Sequence, residues 1–134
     1  GARGAGQTRV AMRDSPRRIP ASCTECDTQY SYLIDWALER DESARFALYS
    51  YQQDGVISFF IDLSGPAYQQ LLLSVSADIL ARNPGRFARY FPLGSAHTIL
   101  LSGSFYSQTI EGVPLLDWTR AFLDDTGAWV DVVE

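Results

Sequence analysis

The sequence predicts an α/β domain organised on a parallel sheet, and three observations carry that expectation. Two apolar runs of strand length, Arg45 to Tyr51 and Ala88 to Phe91, are continuous rather than alternating, as in strands covered on both faces. Between them lies a helix-length stretch with a 3.6-residue apolar period, which makes a strand–helix–strand crossover. Each run leads into a loop of small or polar residues that holds one chemically capable side chain, Asp54 after the first and His97 after the second. Open α/β sheets carry their chemistry at the carboxyl ends of their strands.

Composition bounds what such a domain can do. At 134 residues the chain is one domain's worth, and 46% apolar with 20% charged residues is globular composition. All eleven basic residues are arginines, and five of them lie at or before Arg18. From Ile19 onward six arginines stand against fifteen acids, so a nucleic-acid partner is excluded, because phosphate binding needs a basic surface. No apolar run approaches the roughly 20 residues of a membrane span. The N-terminus has no apolar core of a signal peptide.

Residues 1–22, rich in Gly, Ala and Arg, show neither helical nor strand period and read as a flexible arm or linker ahead of a domain over 23–134. Cys23-Thr24-Glu25-Cys26 opens that domain. A zinc site needs about four ligands, and the chain offers only these two thiols and a distant histidine. A thioredoxin-type motif belongs to a βαβ unit, and no strand pattern precedes it. A local disulfide or two plain thiols are the leading readings, and a disulfide favours an exported protein. Asp27 or Thr28 then caps a helix whose stripe is Tyr30, Leu33, Ile34, Ala37 and Leu38, with Trp36 at its edge and its end near Arg40 to Ser43.

After the first strand, Gln52-Gln53-Asp54-Gly55 forms a turn, and Val56 to Leu63 is apolar with one acid, Asp62. Ser64-Gly65-Pro66 starts a helix with Tyr68, Leu71, Leu72, Val75 and Ile79 as its stripe, and Asn83-Pro84-Gly85 stops it. The second strand ends at Pro92, and Gly94-Ser95-Ala96 leaves space beside His97, the only histidine. Phe105 to Ile110 reads as a short strand, Glu111-Gly112 as a turn, and Pro114 as the start of a last helix with Leu115, Trp118, Phe122 and Leu123 on its buried side. Trp129-Val130 and Val132-Val133 are a closing apolar segment or a frayed end.

An imidazole is the side chain whose unperturbed pKa suits proton shuttling near neutral pH. By themselves, His97 reads first as a structural loop histidine and Asp54 as an ordinary Asp-Gly turn.

The strings RFALYSYQQDGVIS, FPLGSAHTIL and FYSQTIEGVPLLDWTRAFL, together with the CxxC ahead of the first helix, resemble the C-terminal part of the pectinacetylesterase family, which includes Notum-like carboxylesterases. The resemblance spans roughly Cys23 to Trp129. It implies the C-terminal portion of an α/β-hydrolase-type fold, with Asp54 as triad acid and His97 as triad base of a serine hydrolase acting on acyl esters of carbohydrate or acylated protein. It implies no metal and no organic cofactor, and with the cysteine pair it favours a secreted or periplasmic location. A nucleophile elbow reads Gly-x-Ser-x-Gly between a strand and a helix, and no serine here has that setting; Ser15 sits between Asp14 and Pro16. The expected partner is therefore the N-terminal half of the fold, and the expected sheet has an open edge. Two other readings are a non-catalytic remnant or binding domain without a nucleophile, and a thiol redox module using Cys23 and Cys26.

Overall fold

The computed structural model describes residues 19–134, so the arm expected over 1–22 lies outside it as far as Arg18. The elements in chain order are α1 (Tyr32–Arg40), β1 (Phe46–Tyr49), α2 (Gly55–Phe60), α3 (Gly65–Arg82), β2 (Phe87–Phe91), β3 (Thr109–Ile110), β4 (Val113–Pro114), α4 (Leu115–Asp124) and β5 (Val132–Val133). Two short 3₁₀ turns, Ile99–Leu101 and Gly103–Tyr106, separate β2 from β3. The result is mixed α/β with a three-stranded parallel sheet in the order β1-β2-β5.

The central strand is β2, and its residues are the most buried of the sheet; Tyr90 and Phe91 are fully buried. Such a strand must be apolar on both faces, which is why FARYF reads as a continuous run. The run Arg45 to Tyr51 was expected to be covered in the same way. It forms only four residues of strand, all half-buried or exposed, and Phe46 remains 37% exposed. The cause is position: β1 pairs with β2 alone and is an edge among the described residues. The closing segment is no frayed end. Val132 and Val133 pair with Tyr90 and Phe91, and Asp131 fastens them to β2 by accepting from both the Arg89 main-chain N–H (2.8 Å) and its guanidinium (2.6 Å).

Several local expectations shift for physical reasons. The first helix begins at Tyr32 rather than at an Asp27 or Thr28 cap, because residues 25–31 first pass through a series of tight turns; Thr28 hydrogen-bonds back to Glu25, and Tyr30 stays exposed. Trp36 packs at the edge of that helix, donating to the Ser22 hydroxyl at 3.1 Å. Val56 to Leu63 is mostly a short helix, ended by Asp62 in the left-handed region. On α3, Leu71 faces solvent, and buried Ser76 takes the inner position, where it accepts from Arg89. The Phe105 to Ile110 strand shrinks to β3, which pairs antiparallel with β4. Its two turn residues, Glu111 and Gly112, both have positive φ, the geometry of a two-residue hairpin. On α4, Ala121 is buried and Leu123 is exposed. At about 100° per residue, Leu123 points well away from Leu115 and Trp118.

Tyr90 joins the sheet to the hairpin. Its ring stacks against Tyr49 and packs on Trp118. Its hydroxyl donates to Val113 O at 2.7 Å and accepts from Ile110 N at 3.2 Å. Tyr90→Phe therefore leaves a buried N–H and a half-buried carbonyl without their partner, and it should destabilise the fold by about 1–3 kcal/mol in urea unfolding; an unchanged unfolding midpoint contradicts this placement. Burial also raises the pKa values of Tyr49, Tyr68 and Tyr90 above 10.0. The unfolded chain ionises first, so their contribution is complete below pH 10 and is lost as pH rises further. Phenolate absorbance and circular dichroism, followed together, should change in one step above that pH. Ionisation of these tyrosines with the helix signal intact contradicts this.

Candidate active site

The carboxyl ends of β1 and β2 continue side by side beyond the strands themselves. Gln52 N donates to Pro92 O (3.0 Å), Gln53 N to Gly94 O (2.9 Å) and Gly55 N to Ser95 O (2.9 Å). The two loops can lie this close because of two glycines. Gly94 has φ +127, and a Cβ there would stand 3.1 Å from the Tyr51 ring; a Cβ on Gly55 would stand 3.3 Å from Ser95 O.

Asp54 is 5% exposed and caps α2. Its Oδ1 accepts from Val56 N (3.0 Å) and Ile57 N (2.9 Å), two of the otherwise unpaired donors of the first turn. Its Oδ2 lies 2.8 Å from His97 Nδ1. The structure thus brings together the two site residues singled out in the sequence, 43 positions apart. A carboxylate accepts and does not donate, so the shared proton sits on Nδ1 and leaves Nε2 as an acceptor. The imidazole is exposed, with 35% of its side-chain surface open, and Nε2 has no hydrogen-bond partner among the described residues. Asp62, the other acid of this region, falls on the exposed turn after α2.

The dyad borders a cleft of about 330 Å³. Four consecutive residues of and after β1, Leu48 to Tyr51, line it. Successive strand residues face opposite sides of a sheet, so the cleft runs along the free edge of β1. Ile57, Tyr68 and Leu72 close its far side. Ser50 is the serine that lines it. Its hydroxyl donates to Tyr51 O (3.0 Å) and pairs with the Tyr68 hydroxyl (3.1 Å). The single Ser50 hydroxyl proton goes to Tyr51 O, so Tyr68 is the donor of that pair. Thr98, next to His97, also lines the cleft and has φ 55. A β-branched residue in this region is strained, and such strain concentrates at sites where geometry matters. None of Ser50, Tyr68 or Thr98 was singled out as a site residue from the sequence; Tyr68 was expected only on the apolar stripe of α3. Only the strain at Thr98 follows from a close constraint, its place between a glycine-bearing loop and a 3₁₀ turn, and no pattern of residue types signals it.

Cys23 and Cys26 are bonded to each other, and both are buried. Of the readings open for the CxxC, the bonded pair at the entry to α1 matches a local disulfide. No group of three or more metal-ligating side chains occurs among the described residues, and no helix there is long and apolar enough to cross a membrane. Comparison of the chain with protein-family models, curated proteins and solved structures returned no match.

The double use of Asp54 makes a specific expectation. Asp54→Ala removes the cap and should cost about 1 kcal/mol or more, with faster amide exchange at Val56 and Ile57. Asp54→Asn keeps a side-chain oxygen at the cap and should hold that protection close to the original. Equal protection at Val56 and Ile57 in both variants would show that the carboxylate does not cap α2.

Proposed function

We propose that this chain is the acid–base portion of a serine-type carboxylic ester hydrolase, of the kind the pectinacetylesterase resemblance implies. The observation that carries the proposal is the 2.8 Å contact between Asp54, buried at the end of one parallel strand, and His97, exposed at the end of the next. Acid and base placed at successive strand ends, in the order Asp then His, suit the triad of an α/β hydrolase.

In that role His97 Nε2 takes the proton from a serine hydroxyl as its oxygen attacks the ester carbonyl. The same proton then passes to the leaving alcohol oxygen. Water repeats the sequence on the acyl-enzyme: it gives a proton to Nε2 as its oxygen attacks the acyl carbon, and Nε2 returns that proton to the serine oxygen as the carboxylic acid leaves. Asp54 keeps the ring in the tautomer with a bare Nε2 and stabilises the imidazolium that forms. No residue of this chain needs a metal or organic cofactor for these steps. The nucleophile and its oxyanion donors come, in this proposal, from a segment outside the 134 residues, the N-terminal half of the fold, and the free edge of β1 is where further strands would join the sheet. The substrates are acyl esters of carbohydrate or of similar alcohols. The disulfide supports an oxidising location, secreted or periplasmic.

A second reading has its own observation. The cleft beside β1 is lined largely by apolar and aromatic side chains, which suits a non-catalytic domain that binds a ligand and makes no use of a nucleophile.

The two readings separate by experiment. In a protein that joins these residues to an upstream segment bearing a nucleophile elbow, Asp54→Asn and His97→Ala should each lower kcat for an acetyl ester by about 10⁴-fold, through the wrong tautomer and the lost base respectively. Full activity in either variant rules out the esterase role. The 134-residue chain alone should not turn over p-nitrophenyl acetate above background. If it does, and Ser50→Ala abolishes that turnover, the nucleophile is internal and the external segment is unnecessary.

A further inference from the structure

Beneath the dyad lies a buried amide that the proton-transfer steps do not use. Gln52 is 1% exposed, although glutamine seldom leaves the surface. Its hydrogen-bonding capacity is committed. Nε2 donates to Phe91 O (3.1 Å), at the last residue of β2, and to Glu134 O (2.7 Å), one residue past β5. Oε1 accepts from Gln69 Nε2 (2.6 Å) on α3, and Gln69 Oε1 in turn accepts from Gln53 Nε2 (2.9 Å). The Gln52 main chain also holds Pro92 O. One residue thus grips the exit of β2 at two successive carbonyls while standing two positions before Asp54.

We infer that Gln52 is a positioning residue for the Asp54–His97 pair. The exits of β1 and β2 launch the acid and the base, and the distance between those exits sets whether Asp54 Oδ2 meets His97 Nδ1. β1 is an edge strand with one neighbour, so nothing on its other side among the described residues fixes that distance. Gln52 adds a side-chain constraint to the main-chain bonds that Gln52, Gln53 and Gly55 make to the β2 exit, tying the β1 exit also to the end of β5 and to α3. A packing role alone would be met by an apolar side chain of the same length, provided the Phe91 and Glu134 carbonyls found other donors. A fully connected buried amide instead imposes one geometry, because any displacement leaves a buried polar group unpaired. This inference rests on reading Asp54 and His97 as a functional dyad.

The test uses the whole 134-residue chain and needs no substrate. The His97 Nδ1 proton, held against a carboxylate, should give a low-field proton resonance that Asp54→Asn abolishes. In Gln52→Met, a side chain of similar length that cannot hydrogen-bond to either carbonyl, exchange of that proton with water should rise about fivefold or more, the equivalent of one net hydrogen bond. Tyr90→Phe, which removes buried hydrogen bonds at the hairpin side of β2, should leave that exchange rate within twofold of the original, about the scatter between independent sites. Unchanged exchange in Gln52→Met overturns the inference, as does an equal rise in both variants, which would mean that any loss of stability loosens the pair. If Gln52→Met does not fold, Gln69→Ala removes only the partner of the Gln52 carbonyl. It should raise exchange about threefold by loosening one bond of the network, and no rise overturns the inference. Absence of a low-field resonance that depends on Asp54 refutes the dyad itself, and the positioning role with it.

Discussion

One carboxylate holds two structures in place. Asp54 spends one oxygen on the first turn of α2 and the other on the imidazole of His97. Neither partner is optional for a buried acid: a carboxylate removed from water must recover its hydrogen bonds from the protein. The helix cap explains why a charged group tolerates this site, and the cap's rigidity explains why Oδ2 points one way. The histidine meets an acceptor whose position is already fixed by the α2 backbone. In this arrangement the helix is the support, and the dyad is what it supports.

The sheet supplies the rest of the geometry. Parallel strands end on the same side, so residues that follow β1 and β2 converge without any long connection between them. The hydrogen bonds from Gln52, Gln53 and Gly55 to the β2 exit extend that alignment as far as the His97 loop. His97 itself remains exposed while its partner is buried. A base that must exchange protons with another molecule needs that asymmetry, with a fixed inner nitrogen and an open outer one. The free edge of β1 and the cleft along it lie beside the open nitrogen, which is where the proposed nucleophile and its ester would have to stand.

Much of this was legible in the residues. A continuous apolar run marked β2 because a central strand is buried on both faces, and Ser64-Pro66 and Asn83-Gly85 marked the limits of α3 because caps and breakers act locally. Asp54 and His97 could be named as a pair because each follows a strand. What was not legible depends on tertiary neighbours. The run at β1 reads like a buried strand, yet β1 lies at an edge, and sequence does not say how many strands join a sheet. Leu71 and Leu123 fit an apolar stripe, yet they face solvent, because their helices turn Ser76 and Ala121 inward. The buried role of Gln52 has no local signal, since its side-chain partners lie 17, 39 and 82 residues away along the chain. The pectinacetylesterase likeness rests on short residue strings, and the α/β class stands independently of it on the sheet.

The central claim is that Asp54 fixes His97 as the tautomer protonated at Nδ1, with Nε2 bare and available. Nitrogen-15 chemical shifts of the His97 ring, measured above the pH at which the ring is doubly protonated, report this directly. The account predicts a pyrrole-like Nδ1 and a pyridine-like Nε2. A ring protonated at Nε2, or two nitrogens averaged as in free imidazole, would contradict it.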